Sequence, residues 1–369
     1  MRIVISINTS WNIYNFRLNL IKALQNEGHE VIAVAPKDDY VSKLENINVK
    51  CYNLKINSKG TNPIDDINLI YQYYKLFKDL KPDCILSYTI KPNIYGNFAA
   101  HLLNVPTINN ISGLGTLFIK KSMATHISKI LYRLSLSSSY HVFFQNNDDK
   151  LLFTSNKLVS DKIASVIPGS GVDVKKFNFN RIQNKANKFL FVGRLIADKG
   201  VFEYLDAAVS VLKKYPNKEF LLIGELGYNN KTAISKKKLE NYINNYSQIK
   251  YLVKTDNIVG LLRSIDVMVL PSYREGLSKS LIEAASMKLP IITTNVPGCR
   301  DVVVDMFNGF LCEVKSKHSL EKAIQSMISL TENERLEYGI NGREKVTNEF
   351  SAEIVNKIYI DKINKIIRS

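Results

Sequence analysis

The stretch RIVISINTSWNIYNFRLNLIKALQNEGHEVIAVAP, residues 2–36, decides how the first half of the chain folds. Its first residues, RIVISI, are short and rich in β-branched side chains, which favours a strand. Apolar residues then recur at Phe16, Leu20 and Leu24, a spacing that predicts a helix ended by Gly28. HEVIAVAP supplies the next strand. A strand, a helix and a strand joined by short connections predict a βαβ unit in a parallel sheet.

The same pattern restarts after a polar, irregular stretch, IPGSGVDVKKFNFNRIQNKANK, at residues 167–188. Glycines, a proline and several basic residues interrupt the periodicity there, as is typical of a domain junction. KFLFVGRL, EFLLIG, IKYLV and DVMVLPS follow as strands, with a helix at VFEYLDAAVSVLKKYP. We therefore predict an α/β protein of two Rossmann-like, doubly wound parallel-sheet domains. The expected boundaries are 1–167 for the first domain, 168–187 for a linker, 188–350 for the second domain and 351–369 for a final helix.

Composition narrows the class of protein. The chain has 369 residues, of which 45% are hydrophobic, enough for two domain cores. Its formal net charge of +16 is spread over both halves and favours phosphate-bearing partners: nucleic acid, lipid headgroups or nucleotides. The four cysteines form no CxxC pair and fit a reducing cytoplasm. No stretch approaches the roughly 18 apolar residues of a membrane span, and the first residues do not resemble a signal peptide.

The first strand–helix turn, NTSWNIYNFR at residues 8–17, contains no glycine. In dinucleotide-binding domains, G-x-G-x-x-G at this place lets the backbone approach a pyrophosphate. A nicotinamide or flavin dehydrogenase is therefore not expected.

Two carboxylates stand eight residues apart in REGLSKSLIEA, residues 274–284: Glu275 and Glu283. They follow the strand DVMVLPS, and open parallel sheets bind ligands at the carboxyl ends of their strands. A helix beginning near Leu277 would point its free N–H groups at the same ligand, which favours an anion such as phosphate. FVGRLIADKG, residues 191–200, delivers Arg194 and Lys199 to the same edge, and these cations suit a diphosphate. The spacing alone is more typical of a solvated helix surface, and it is the two cations that favour a ligand site.

These motifs together, VGRL-x3-KG, PSYREG-x6-EA, PIITTNVPG and NGFL, resemble family 4 of the retaining glycosyltransferases over about residues 1–350. The resemblance implies the GT-B fold, with two domains facing a cleft and a last helix that crosses back to the first domain. It implies that Arg194 and Lys199 hold the donor diphosphate, that Glu275 contacts the donor sugar and that Glu283 holds the ribose. Arg194, Lys199 and Glu275 are thus the expected catalytic group. The remaining donor-binding residues would be Gly193, Gly276, Leu277 and Ser278.

Three motifs of the first half, TSWNIYNFR, IKPNIYGNFAAHLLNVP and ISGLGTLF, resemble a narrower group. These are bacterial enzymes of O-antigen, capsule and N-glycan assembly that extend sugars on undecaprenyl diphosphate, several of them transferring N-acetylgalactosamine. The resemblance suggests an acceptor side formed by Tyr14, Arg17, Lys91 and Gly113. The first strand–helix loop lacks the usual glycine pair, and ISGLGTLF lacks the histidine that many members have near the donor sugar. The donor hexose therefore stays open.

The expected reaction is transfer of a hexose or N-acetylhexosamine from a UDP-sugar to a lipid-linked saccharide of a bacterial surface polysaccharide, with retention of configuration. No Asp-x-Asp follows a strand, so we expect no metal and no cofactor. His101 and His126 have no partners at metal-ligand spacing and are interpreted as structural or surface residues. A sugar-nucleotide epimerase of the same fold is the alternative enzyme. A basic nucleic-acid-binding protein is a further alternative, but the charges are dispersed and nucleic acid is not an expected partner.

One segment lacks acidic residues: no Asp or Glu occurs from Cys84 to Asn147. Within it, FIKKSMATHISKILYRLSL, residues 118–136, predicts a helix with one apolar face and several basic residues on other faces. That face would serve either a domain core or an anionic membrane surface. We expect a cytoplasmic protein, peripheral on the inner face of the plasma membrane. The apolar residues are Ile119, Met123, Ile127, Ile130, Leu131 and Leu134, and the basic ones Lys120, Lys121, Lys129 and Arg133.

Overall fold

The chain forms two compact units in a computed structural model that describes residues 1–57, 60, 62–113, 123–226, 230, 232–255 and 257–368. Unit 1 comprises Met1–Ser170 together with Ala352–Ser369, and unit 2 comprises Gly171–Ser351. Unit 1 ends within a few residues of the expected 167 and resumes beside the expected 351. Unit 2 begins at Gly171 and not at 188: most of the expected linker, 168–187, belongs to it, because Val172, Phe177 and Ala186 are buried in its core. Unit 1 is therefore made of two separate pieces of the chain.

Unit 1 is a parallel sheet of seven strands covered by helices on both faces. Its strands are β1 (Arg2–Ser6), β2 (Glu30–Ala35), β3 (Lys50–Asn53), β4 (Cys84–Tyr88), β5 (Thr107–Ile111), β6 (His141–Phe144) and β7 (Ala164–Val166). Its α-helices are α1 (Ser10–Asn26), α2 (Val41–Glu45), α3 (Pro63–Leu80), α4 (Asn97–Leu102), α5 (Met123–Leu136), α6 (Asn147–Ser155) and, from the end of the chain, α13 (Ala352–Arg368). The strand order is β3-β2-β1-β4-β5-β6-β7.

Unit 2 repeats this architecture with a parallel sheet of six strands in the order β10-β9-β8-β11-β12-β13. The strands are β8 (Lys188–Val192), β9 (Glu219–Ile223), β10 (Ile249–Leu252), β11 (Val267–Leu270), β12 (Ile291–Thr294) and β13 (Gly309–Cys312). The helices are α7 (Val201–Lys214), α8 (Lys236–Asn245), α9 (Ile258–Arg263), α10 (Lys279–Ser286), α11 (Lys317–Ser329) and α12 (Glu332–Glu349). The predicted pair of doubly wound parallel-sheet domains is confirmed.

Local signals explain why the first βαβ unit forms as predicted. The Thr9 side chain accepts a hydrogen bond from the Asn12 amide and so caps α1, which begins earlier than its apolar periodicity alone indicates. Gly28, just beyond the helix, has a φ of +78°, the left-handed conformation that glycine adopts at helix ends. The strands on either side pair in parallel, with Ser6 opposite Val34.

Helix α13 completes unit 1. Its Val355, Tyr359 and Ile363 are almost fully buried and share a core with Ile13 and Leu20 of α1. The Tyr359 hydroxyl also accepts a 3.0 Å hydrogen bond from Asn110 on β5. The last helix thus belongs to the first domain, as the family resemblance implied.

Each sheet has one point at which the strand order reverses direction. In unit 1 the chain builds outward from β1 to β3 and then returns to β4, so the reversal lies between β1 and β4. In unit 2 it lies between β8 and β11. Open parallel sheets bind ligands beyond the carboxyl ends of their strands at such a reversal.

Candidate functional site

In unit 2, two loops meet at the reversal between β8 and β11. The loop after β8 carries Arg194 and Lys199, and the segment after β11 carries Glu275. The Tyr273 amide donates a 2.8 Å hydrogen bond to the Asp198 carbonyl, which joins the two loops. Gly200 allows this approach: its φ is +74°, and a Cβ there would lie 2.0 Å from the Pro271 carbonyl oxygen.

Lys199 and Glu275 form an ion pair between the Nζ atom and Oε1. The two side chains are only 22% and 11% exposed, so water screens their attraction weakly. The Glu275 amide is itself held by a 3.2 Å hydrogen bond to the Pro297 carbonyl. The structure therefore brings together two of the three predicted catalytic residues, although 76 positions of chain separate them.

Arg194 lies on the same loop with its side chain exposed. Its neighbour Gly193 continues the sheet edge through a 2.9 Å hydrogen bond from its amide to the Ile223 carbonyl. Gly224 packs so tightly here that a Cβ would lie 1.7 Å from the Gly193 carbonyl oxygen. Among the residues that the structure describes, none forms an ion pair with Arg194. Its charge is therefore available to an anion at this edge.

The segment after Glu275 differs in detail from the expectation. Helix α10 begins at Lys279, two residues later than predicted from the sequence. The Ser278 amide, expected to face a phosphate with those of Gly276 and Leu277, donates a 3.3 Å hydrogen bond to the Gly298 carbonyl. The first-turn N–H groups of a helix have no acceptors within it, so the anion-binding end of α10 is displaced toward Lys279.

Glu283 lies one turn into α10, with its side chain only 14% exposed. Its Oε1 is 3.7 Å from Nζ of Lys279, four residues earlier on the same helix. Burial raises the pKa of this carboxyl group, and the charges of Lys279 and Lys176 act in the opposite direction. A buried carboxylate of this kind is a site for hydrogen-bond donors such as sugar hydroxyls.

Three residues at this site were not predicted from the sequence. Lys279 contacts Glu283, and its spacing of four residues on a helix could have revealed it. Gly298 has a φ of +78°, and a Cβ there would lie 2.6 Å from the carbonyl oxygens of Glu275 and Gly276. Tyr273 donates a 2.6 Å hydrogen bond to Glu203, a contact between distant segments that no local pattern indicates.

The predicted acceptor-side residues lie in unit 1 and are held differently from one another. Tyr14 packs on the ring of Tyr40, with centroids 5.6 Å apart. Lys91 forms a 2.6 Å ion pair with Asp66. Gly113 has a φ of +117° and adjoins 114–122, which lies outside the described residues with most of ISGLGTLF.

Arg17 is the fourth predicted acceptor-side residue. It is buried, with its guanidinium carbon 3.9 Å above the centre of the Tyr88 ring. His101 and His126 are both exposed at the surface.

Within the described ranges, no three histidine, cysteine, aspartate or glutamate side chains come together as metal ligands would. All four cysteines are free, and burial raises the pKa of the Cys84, Cys299 and Cys312 thiols to about 12. Chemically, the edge of unit 2 combines an exposed cation, two paired cations, a helix N-terminus and two largely buried carboxylates. This set can bind a polyphosphate and contact hydroxyl groups beside it.

Comparison with known proteins agrees with this chemistry. Residues 173–345 match the family Glycosyl transferases group 1, and residues 2–146 match Glycosyl transferase 4-like. The chain is 27% identical to the N,N'-diacetylbacillosaminyl-diphospho-undecaprenol alpha-1,3-N-acetylgalactosaminyltransferase of Campylobacter jejuni, over 100% of both chains. It is 26% identical to the UDP-Gal:alpha-D-GlcNAc-diphosphoundecaprenol alpha-1,3-galactosyltransferase of Escherichia coli, over 94% of this chain and 92% of the other. In fold it resembles a glycosyltransferase from Rickettsia africae, with a TM-score of 0.82 and 18% identity over 100% of this chain and 99% of that one.

Proposed function

Because the chain is a glycosyltransferase that belongs to family 4 and has the GT-B fold, we propose that it transfers a hexose or N-acetylhexosamine from a UDP-sugar to a saccharide on undecaprenyl diphosphate. The observation that carries this proposal is the Lys199–Glu275 ion pair at the strand reversal of unit 2. The pair sets a cation for phosphate beside a carboxylate for sugar hydroxyls. Two relatives named for diphospho-undecaprenol acceptors, one of them also for UDP-Gal, support both substrates.

In the proposed donor complex, Arg194 and Lys199 bind the diphosphate, Glu275 binds the sugar and Glu283 binds the ribose. The bond between the sugar's anomeric carbon and the β-phosphate oxygen breaks, and negative charge grows on the leaving UDP. Preorganised cations aimed at that developing charge stabilise the transition state more than the ground state. The N-terminus of α10 adds its dipole to the same effect.

We further propose that the transfer retains the anomeric configuration by attack on the face from which UDP leaves. The acceptor hydroxyl oxygen forms the new bond to the anomeric carbon, and its proton passes to the departing phosphate oxygen. This route needs no enzymic nucleophile. We assign no metal or cofactor to the reaction, because the cations that neutralise the leaving group are supplied by side chains.

The test is an assay of the purified protein with a panel of UDP-sugars and an undecaprenyl-diphosphate-linked saccharide, in EDTA and with added magnesium or manganese. We expect a lipid-linked product and free UDP from one donor, with similar rates with and without metal. Isomerisation of a donor in the absence of acceptor would identify an epimerase instead. Loss of activity in EDTA that magnesium restores would refute the metal-free mechanism.

A second proposal concerns the membrane, where a lipid-linked acceptor resides. On α5, Ile127, Ile130 and Leu134 are 52%, 54% and 58% exposed. Their spacing places them in one stripe, and Arg133 is exposed beside it. These three apolar side chains therefore face solvent and do not pack in the core. Ile119, Lys120 and Lys121 lie outside the described residues.

We propose that this stripe docks on an anionic membrane surface at the cytoplasmic leaflet. An apolar face flanked by cations, with no acidic residue in the segment, matches an interfacial helix bound to anionic lipid. None of the described helices has the length and apolar character needed to cross a bilayer.

A further inference from the structure

Arg17 lies on the buried face of α1, with 3% of its surface exposed. Its guanidinium stacks on the ring of Tyr88, the last residue of β4. Its Nε is enclosed without a hydrogen-bond acceptor, and no described residue forms an ion pair with the guanidinium. Arginine keeps its charge in proteins, so a buried guanidinium with no anion beside it is energetically costly.

The contrast with Lys91, just beyond the same strand, makes this unusual. Lys91 is also nearly buried, but its charge is balanced by Asp66, which accepts a second hydrogen bond of 2.6 Å from Tyr95. Two cations thus lie near the end of β4, and only one of them has its anion in the part of the chain that the structure describes. The stacking on Tyr88 fixes the plane of the Arg17 guanidinium but supplies no negative charge.

The place of Arg17 in the fold suggests what the missing anion is. Tyr88 ends β4 and Asn8 follows β1, so they lie at the strand reversal of unit 1, where open parallel sheets bind ligands. Thr89, the next residue, has a φ of +63°, which is strained for a β-branched residue. Its hydroxyl and the side-chain oxygen of Asn8 are both enclosed without partners. Strain and unsatisfied polar atoms at one edge are typical of a binding site.

We propose that Arg17 and the Thr89 hydroxyl bind the diphosphate of the lipid-linked acceptor, with the Asn8 oxygen accepting from a hydroxyl of its first sugar. This inference rests on the proposed transferase function. The planar guanidinium matches phosphate oxygens, and a hydroxyl donor beside it adds a second contact. The donor diphosphate already has Arg194 and Lys199 in unit 2, so the acceptor is the substrate that still lacks a cation for its phosphates.

The test compares two acceptors that share one saccharide, the first on undecaprenyl diphosphate and the second on a neutral lipid. Arg17→Gln should raise KM for the diphosphate acceptor at least about tenfold and leave KM for the neutral acceptor and for the UDP-sugar unchanged. Lys22→Gln, an exposed cation on the same helix, is the matched control and should change none of these values. Thr89→Val keeps the branched shape without the hydroxyl and should reproduce a smaller, roughly threefold rise for the diphosphate acceptor alone.

A rise in KM for the UDP-sugar instead would assign Arg17 to the donor and overturn the proposal. Equal changes with both acceptors, or no change, would reduce Arg17 to a packing residue. If Arg17→Gln fails to fold, Thr89→Val and Arg17→Lys carry the same comparison, and the Lys variant should keep part of the preference for the diphosphate acceptor. Failure of the proposed function is separate, since the wild-type protein would then transfer sugar to neither acceptor.

Discussion

Lys199 serves two anions in the proposed donor complex. An ammonium group has three N–H donors, so one can remain on Glu275 while the others reach the diphosphate. In that proposed complex the Lys199 charge would offset the repulsion between the Glu275 carboxylate and the donor phosphates. The Lys199–Glu275 ion pair orients the carboxylate, and in the proposed complex it would also shield that carboxylate from the donor's negative charge.

Substitutions of Glu275 and Glu283 should have different effects on the kinetics. Glu275→Gln removes the ion pair and the sugar contact, so we expect kcat to fall at least about 100-fold with little change in donor affinity. Glu283→Gln removes a contact to the ribose, so we expect the Kd for UDP to rise about tenfold with a smaller effect on kcat. Steady-state kinetics and calorimetry with UDP separate the two. Small and equal effects on kcat/KM would show that neither glutamate contacts the donor.

Glu283 also makes stability depend on pH. Its pKa is raised above 4.5 by burial, so the folded protein binds this proton more tightly than the unfolded chain does. The group therefore favours folding at low pH and opposes it increasingly as pH rises above 4.5. Glu283→Gln removes that opposition, and the Tm of the variant should exceed that of the wild type at pH 7. The difference should shrink as pH approaches 4.5.

Lys236 and Glu240 on α8 give a matched control for that experiment. They have the same spacing and the same 3.7 Å separation as Lys279 and Glu283, but both side chains are more than half exposed. Glu240→Gln should leave Tm almost unchanged across the same pH range. A lower Tm for Glu283→Gln at pH 7 would mean that the lysine contact outweighs burial.

The candidate site was predictable from the sequence only in part. Strand-end positions correctly placed Arg194, Lys199 and Glu275 at one edge, because parallel strands bring their carboxyl ends together. The pairing of Lys199 with Glu275 could not be predicted, since it depends on how closely two loops approach at Gly200. The bond from Ser278 to Gly298 is likewise a contact between segments that the local sequence does not encode.

At the scale of elements, the strands that were predicted are those with continuous apolar side chains. DVMVLPS, which was predicted as a strand, forms β11 (Val267–Leu270), and every position of that strand is buried. β5, TINNI, was missed: Asn109 and Asn110 are fully buried, and their side chains are satisfied by hydrogen bonds within the unit. A polar strand that is buried cannot be distinguished from a loop by hydropathy alone.

The loop between β8 and α7 should tolerate no side chain at its last residue. Gly200→Ala adds a Cβ 2.0 Å from the Pro271 carbonyl in a backbone conformation unfavourable for alanine, so we expect a loss of more than about 3 kcal/mol in unit 2. Lys199 would be displaced with it, and transfer should fall sharply. Gly28→Ala is the control: its φ of +78° is similar but no atom lies within 4 Å of the added Cβ, so about 1 kcal/mol should be lost. Equal losses in denaturant titrations would contradict this account.

Helix α5 should bind vesicles through its exposed stripe. Wild-type protein should float with anionic liposomes and dissociate at high salt, because each cation near the surface adds about 1 kcal/mol. Replacing Ile127, Ile130 and Leu134 with Ser should abolish flotation, and Lys120/Lys121/Lys129/Arg133→Gln should weaken it strongly. Ile64 and Ile67 on α3, 75% and 67% exposed but beside Asp65 and Asp66, form the control pair. Unchanged flotation in the stripe variant, or none by the wild type, would refute membrane docking.

At the scale of the whole molecule, each unit closes its own core, but unit 1 does so with two pieces of chain. Val355, Tyr359 and Ile363 are almost fully buried in it. Burial of each such side chain contributes about 1.5–3 kcal/mol, and a domain is stable by only about 5–15 kcal/mol. The contribution of α13 is thus comparable to the entire stability of unit 1.

In a chain that stops at residue 351, we therefore expect unit 1 to unfold and unit 2 to stay folded. We expect unit 1 to lose the protection of its backbone amides against hydrogen exchange, while unit 2 keeps its own thermal transition. Hydrogen exchange followed by mass spectrometry reads both units in one sample. If the amides of β1 and β4 stay protected against exchange in the shortened chain, unit 1 is stable without α13.

The two-piece construction of unit 1 also fixes an order of events during synthesis. Residues 352–369 leave the ribosome only after all of 171–351, which at about 5–20 residues per second takes roughly 10–40 s. Throughout that interval the core that contains Leu86 and Tyr88 is covered by α1 but lacks its α13 residues. Unit 2 can therefore complete its fold before unit 1, which still lacks α13. This is the reverse of the usual order, in which the N-terminal domain folds first. Until α13 is synthesised, apolar residues of unit 1 are exposed to aggregation. Fast synthesis of the last third of the chain would shorten that exposure.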